Sequence, residues 1–217
     1  MEIRIMKNIM QANDRLAEDN RAFFLERGIT AINVMASPGS GKTSVILQII
    51  KSLGKECSIG VIEGDISSSI DAETISKLGI SVTQINTGGG CHLDANMIKT
   101  VVSDLKMKKN SMLLIENVGN LVCPSIFDLG EALKLVIASV PEGHDKPYKY
   151  TSMFMVADVI LLNKSDLMPY IDFDKDSFYK GVKSINQKAP VFELSCRTGE
   201  GVQSFVNWLR ERIQKRT

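Results

Sequence analysis

Four groups of residues in this chain have types and spacing that could do chemistry, and each follows a run of apolar residues. The first is Ser37-Pro38-Gly39-Ser40-Gly41-Lys42-Thr43-Ser44. Glycines let backbone N–H groups converge on phosphate oxygens, a helix starting at the lysine adds positive potential, and Lys42 supplies a mobile cation for β and γ oxygens. The Thr43 hydroxyl is the expected Mg²⁺ ligand, which makes the group a phosphate-binding loop. Ala36 stands where the consensus has its first glycine. Alanine is tolerated there if the backbone avoids positive φ.

The second group reads the base. Asn163-Lys164-Ser165-Asp166 ends an apolar run, and a carboxylate at Asp166 accepts two hydrogen bonds from the guanine N1–H and N2 amine. Adenine lacks that donor pair and leaves the carboxylate unpaired, so the site selects GTP over ATP. Asn163 braces the loop, and the Lys164 stem is long enough to cover the base. Downstream, Ser195-Cys196-Arg197-Thr198-Gly199 follows the last apolar run. It matches the loop that offers backbone N–H groups to guanine O6, with Cys196 and Arg197 in place of the usual Ala and Lys.

The third group is acidic and the fourth is soft. Asp65, Asp71 and Glu116 lie at or near the ends of apolar runs, where carboxylates hold Mg²⁺ or orient water; the bland alternative is three solvated loop carboxylates. Asp71 doubles as a switch candidate. Cys91-His92 and Cys123 occupy two further loops, and thiolate plus imidazole suits Zn²⁺ and equally Ni²⁺. Three ligands leave a coordination position open, which a two-fold dimer could complete or share. An adjacent Cys-His pair unrelated to any metal is the competing reading. Cys57 and Cys196 read as packing thiols.

Positioning these groups requires a sheet. Apolar runs predict strands at 31–36, 58–63, 81–86, 112–116, 133–140, 159–163 and 191–195, with helices over 43–53, 71–78, 94–106, 174–185 and 201–214. Strand and helix in turn predict an α/β fold, a mostly parallel seven-stranded sheet flanked by helices, with ligands beyond the strand carboxyl ends. Ile5, Ile9, Ala12, Leu16 and Phe23 follow helical spacing. Residues 1–28 therefore read as an N-terminal helical extension, packed on the sheet edge or docking a partner, and 29–217 as the nucleotide-binding domain.

The 217 residues carry a net charge of +1, 44% hydrophobic residues and four cysteines. That composition excludes disordered and collagen-like chains and gives no reason to expect a nucleic-acid or membrane partner. With no apolar run long enough to span a bilayer and no secretory signal, the expectation is a cytoplasmic protein with reduced thiols.

In order, SPGSGKTS, IEGD, INTGGGCHLDANMI, IENVGNLVCPSIFDLGE and LLNKSDL cover most of the chain and closely resemble the HypB family, GTPases that assist nickel insertion during [NiFe]-hydrogenase maturation. The resemblance implies the SIMIBI class of P-loop GTPases, slow GTP hydrolysis and homodimerisation on GTP or metal binding. It also implies a nickel or zinc site at Cys91, His92 and Cys123, a switch and Mg²⁺ role for Asp71, and a place near the nucleotide for Glu116. Implied partners are an accessory nickel metallochaperone and the hydrogenase large-subunit precursor. Two features depart from relatives: these residues contain no C-x-x-C-G-C motif or His-rich tract, and Gly89 stands where many relatives have Lys. Rival readings are a GTPase serving another nickel enzyme such as urease, a nucleotide-binding metal carrier without useful turnover, and a signal-recognition type GTPase.

Overall fold

The computed structural model describes residues 2–66, 70–105 and 107–214, with side chains from residue 10 onward. Its strands are β1 (Thr30–Ala36), β2 (Ile59–Asp65), β3 (Ser81–Asn86), β4 (Met112–Glu116), β5 (Leu133–Ser139), β6 (Val159–Asn163) and β7 (Val191–Glu193). Its helices are α1 (Glu2–Glu26), α2 (Lys42–Leu53), α3 (Ile70–Ser76), α4 (Ala95–Val102), α5 (Lys146–Lys149), α6 (Thr151–Val156), α7 (Lys175–Ile185) and α8 (Val202–Gln214). One sheet in the order β3-β2-β4-β1-β5-β6-β7 contains every strand, and every neighbouring pair is parallel. This is the α/β architecture that the alternation of apolar runs predicts.

Parallel strands covered on both faces read as continuous apolar runs, and β1, β4 and β6 bury every residue. On one face α2 lays down Val45, Ile46, Ile49, Ile50 and Leu53. They meet Val34 and Leu114 of the sheet and Phe205 and Leu209 of α8. The opposite face carries two clusters. Phe154 and Phe178 of α6 and α7 pack on Met35 and Ile160, while Phe24 of α1 and Ile98 of α4 pack on Ala31, Ile62 and Leu113.

Three local features differ from the sequence reading. Helix α1 is not at the sheet edge; it covers the β1, β2 and β4 face beside α4, because Phe24 is buried and two amides fasten the helix. Asn13 donates to the Asp128 carbonyl and accepts from the Ala95 N–H, both at 2.9 Å. Asn20 donates to the Ala95 and Leu129 carbonyls at 2.9 and 3.0 Å. Ile5 and Ile9 of the predicted stripe lie outside the described side chains. Helices α5 and α6, which the sequence left unassigned, are only 4 and 6 residues long, too short for periodicity to reveal. Strand β7 stops at Glu193 because the chain turns back there, with the Ser195 N–H donating to the Glu200 carbonyl at 3.0 Å.

Candidate functional site

The phosphate loop fills the gap between β1 and α2. Gly41 stands before the first helical residue with φ 100°, and a Cβ on it would come within 2.5 Å of Asn163 Nδ2. Only glycine meets both demands. Ser40 is buried and donates to the Ser37 carbonyl at 2.8 Å, while Pro38 and Gly39 form the exposed tip. Ser37 donates to Glu142, which also accepts from Ser139 at 2.7 Å. Ala36 is fully buried and has no positive φ; among described non-glycine residues only Asn110 and Lys164 do. A methyl group therefore fits the first position of this loop without backbone strain.

Beside the loop lies a cavity of about 330 Å³ lined by Gly41, Ser44, Asn163, Lys164, Asp166, Leu167, Ser195, Cys196 and Arg197. Eight of these nine residues are those singled out in the sequence, brought together from three loops. Asn163 spends its amide on structure: Nδ2 donates to the Ser40 carbonyl at 2.9 Å and Oδ1 accepts from the Cys196 N–H at 3.3 Å. Lys164, at φ 60°, turns its ammonium back to the Gly39 carbonyl at 2.6 Å. Asp166 lines the cavity, and burial pushes the Cys196 thiol up to about 11, so that thiol stays protonated.

Three carboxylates gather at the start of α2. Register sets Glu63 of β2 beside Glu116 of β4, and an oxygen from each lies within 4.8 Å of one from Asp71 in the first turn of α3. Glu116 accepts from the Thr43 hydroxyl at 3.0 Å and lies 4.0 Å from Lys42 Nζ. Both glutamates are buried, and Oε2 of each has no hydrogen-bond partner. Burial, then the neighbouring Glu116 charge, pushes the Glu63 carboxyl up to about 10; burial raises Glu116 too, against the pull of Lys42 and Thr43. Unpartnered hard oxygens beside a threonine hydroxyl and a lysine are a donor set that fits a divalent cation.

Glu63 takes the place in this cluster that the sequence reading gave to Asp65, whose carbonyl accepts from the Thr87 N–H at 3.0 Å. The signal for Glu63 was present in its spacing of two from Asp65 at a strand end. Only the register of β2 against β4 turns that spacing into a contact.

The soft ligands come from two loops. Cys91 Sγ lies 3.0 Å from Cys123 Sγ and 3.6 Å from His92 Nδ1, and one donor atom from each residue falls within 4.8 Å of the others. All four cysteines are free thiols. The His92 ring stacks on Phe127 at 3.8 Å, and Asn120 donates to the Cys91 carbonyl at 3.2 Å. Phe127 and Asn120 lie inside the segment that carries the family resemblance, but neither was singled out as a site residue. Hydrogen bonding to Cys123 raises the Cys91 thiol above its ordinary range, while burial lowers His92 and keeps its imidazole neutral. The Cys91–His92 loop therefore offers a ready imidazole lone pair beside a thiol that must lose its proton to ligate.

The pattern of the CobW/HypB/UreG nucleotide-binding domain matches residues 30–193. The hydrogenase maturation factor HypB of Rhizobium leguminosarum bv. viciae is 48% identical over 214 residues, covering 99% of this chain and 72% of the relative. The chain belongs to the HypB family. The hydrogenase/urease maturation factor HypB of Helicobacter pylori strain J99 is 38% identical over 215 residues, 97% of this chain and 88% of that one. A crystal structure of Helicobacter pylori HypB in complex with nickel superimposes with a TM-score of 0.89 at 38% identity, covering 94% of this chain and 96% of that one. The signal recognition particle receptor FtsY of Elizabethkingia anophelis in complex with GDP shares the fold at TM-score 0.50 and 14% identity, over 88% of this chain and 69% of that one. This member of the HypB family is thus a P-loop GTPase by fold and family. No helix among its described residues is long and apolar enough to cross a membrane.

Proposed function

We propose that this chain is a GTP-hydrolysing metallochaperone that takes up nickel at Cys91, His92 and Cys123 and delivers it to a [NiFe]-hydrogenase large-subunit precursor. One observation carries the reading: the thiol–imidazole cluster stands on loops leaving β3 and β4, the same sheet end that holds the phosphate loop and the carboxylates. A nickel-bound relative at 38% identity supports the choice of ion. Zn²⁺ satisfies the same donors and is the competing ion.

Asp166 selects the guanine base, with Ser195, Cys196 and Arg197 closing the cavity around it. Pro38, Gly39, Ser40, Gly41 and Ser44 supply the backbone cradle for the phosphates, and Lys42 neutralises charge that builds on the β and γ oxygens during transfer to water. Thr43, Glu63, Asp71 and Glu116 are the residues that would hold Mg²⁺, with Asp65 nearby. When bound, Mg²⁺ supplies charge for the phosphate oxygens. Catalysis rests on positioning and charge stabilisation, with Lys42 and an acidic residue that orients the attacking water, so intrinsic turnover is slow. Three protein donors leave a nickel position open, suited to sharing across a GTP- or metal-dependent homodimer and to transfer from an accessory nickel metallochaperone. Reduced thiols suit cytoplasmic residence.

Phosphate release from GTP, with ATP as control, tests the first half: it should be GTP-selective and abolished in Lys42→Ala. Lys42-independent release would mean a metal carrier without useful turnover. Nickel stoichiometry tests the second half, because Cys91→Ala and Cys123→Ala should each abolish binding of the ion held at this site. Unchanged stoichiometry rejects the site. The Helicobacter pylori relative's name, which includes urease, favours a second reading in which urease receives the metal; activation of apo-hydrogenase and apo-urease side by side separates the two.

A further inference from the structure

Leu93 follows His92 directly and is held by two groups outside its own loop. Its backbone N–H donates to Asn117 Oδ1 at 3.0 Å. Its fully buried side chain rests on Gly64 of β2, between Glu63 and Asp65. Asn117, immediately after Glu116, is also fully buried. Its Oδ1 accepts a second bond from the Val118 N–H at 2.9 Å, and its Nδ2 donates to Asn33 Oδ1 at 3.1 Å. Asn33 Nδ2 then donates to Glu131 Oε1 at 3.1 Å. A buried amide in the centre of a parallel strand is costly unless each polar atom is bonded. The role of Asn33 in this sheet is to anchor Asn117.

Residues 116–123 touch both sites. At one end Glu116 meets Thr43 and Lys42, and Gly119 packs against Pro38. At the other end Asn120 holds the Cys91 carbonyl and Cys123 meets the Cys91 thiol. The resemblance gives the Asp71 segment a switch role beside the nucleotide. This eight-residue segment supplies a second, continuous bonded route between the two sites.

We propose that the Asn117 side chain is a positioning residue that fixes the Cys91–His92 loop to the strand end carrying Glu116, so that metal affinity differs between the GDP and GTP states. The proposal rests on the metal and nucleotide sites given under Proposed function. By linkage, whatever factor the nucleotide imposes on metal affinity, the metal imposes on nucleotide affinity.

The test is titration of the full chain with nickel(II) in the presence of Mg²⁺ and either GDP or a non-hydrolysable GTP analogue. The wild type should show affinities differing by about fivefold or more, the usual range of such couplings, and the same factor when nucleotide is titrated with and without nickel. In Asn117→Ala the ratio should fall to within about twofold of unity. Asn120→Ala, at a partly exposed position that tolerates truncation, should reduce it partway; should Asn117→Ala not fold, Asn120→Ala decides. A purely structural role would weaken both nickel affinities equally and keep the ratio. A retained ratio in either variant, or a wild-type ratio of one, overturns the proposal. Nickel binding that survives Cys91→Ala overturns the site reading itself, a result distinct from intact binding with unaltered coupling.

Discussion

Replacing Gly64 by alanine probes the seat of the metal loop without touching any ligand. A Cβ at residue 64 would lie 2.7, 2.8 and 2.9 Å from Leu93 Cδ1, Cγ and Cδ2, whereas carbon atoms in contact prefer about 3.5–4.0 Å. Leu93 must therefore retreat by about 1 Å. It is fully buried, so the retreat pushes into packed neighbours. Overpacking of this kind costs about 1–3 kcal/mol, which urea unfolding at pH 7 reads as a lowered midpoint with unchanged slope. His92 is covalently next, and its stacking on Phe127 at 3.8 Å should be disturbed as Leu93 moves. Nickel affinity should then fall by about tenfold, as when a ligand loses its supporting contacts. Leu93→Ala provides the control. Alone it costs about 2–5 kcal/mol through the cavity it opens, but in the double variant the new methyl group occupies that cavity. The double should be less destabilised than the sum of the singles by about 1 kcal/mol or more. Additive costs, or a Gly64→Ala chain with wild-type stability and nickel affinity, would refute the claim that Leu93 transmits between β2 and the metal loop.

Asp166→Asn should lower GTP affinity by about 10²-fold or more, because a site built on two donor bonds loses one of them. Xanthosine triphosphate, which offers a carbonyl where guanine offers an amine, should bind the variant better than GTP does, and a competition assay checks both. Asn20→Ala should cost about 1–3 kcal/mol in urea unfolding, since it removes the buried amide that donates to the Ala95 and Leu129 carbonyls; a loss within experimental error would mean α1 is not fastened there. Tyr179 donates to Glu193 Oε1 at 2.6 Å, and burial with that bond raises its phenol above the ordinary value. The folded chain keeps a proton that the unfolded chain releases near about pH 10, so this contribution is complete below that pH and is lost as pH rises through the folded value. Tyr179→Phe should flatten the fall in unfolding free energy between about pH 9 and 11, and an unchanged slope would discard the assignment.

Much of the site was legible because its chemistry is local in sequence. A glycine loop between an apolar run and a helical stripe, or a carboxylate three residues after an asparagine at a strand end, carries its geometry within a few residues. The cavity assembled from those loops accordingly is lined by residues read from them. Glu63 was harder to see because its importance comes from a neighbour 53 positions away in sequence, brought alongside by strand register. Phe127 and Asn120 showed only as members of the family-like segment around Cys123, with no role attached. A phenylalanine or asparagine in a loop has no periodicity to betray it.

By itself the sequence determined the seven strands, their alternation with helices, the phosphate loop, the residues that line the cavity beside it and the family. These follow from hydrophobic period, turn chemistry and contiguous motifs, all short-range properties of the chain. Tertiary structure alone decided that α1 covers a sheet face, that Glu63 meets Glu116, that Cys91 stands 3.0 Å from Cys123 across 32 residues, and that Asn117 ties the Cys91–His92 loop to the core. Each of these depends on which strands lie side by side and in what register. That choice is made by the packing of two whole sheet faces at once, and no local window of residues contains it.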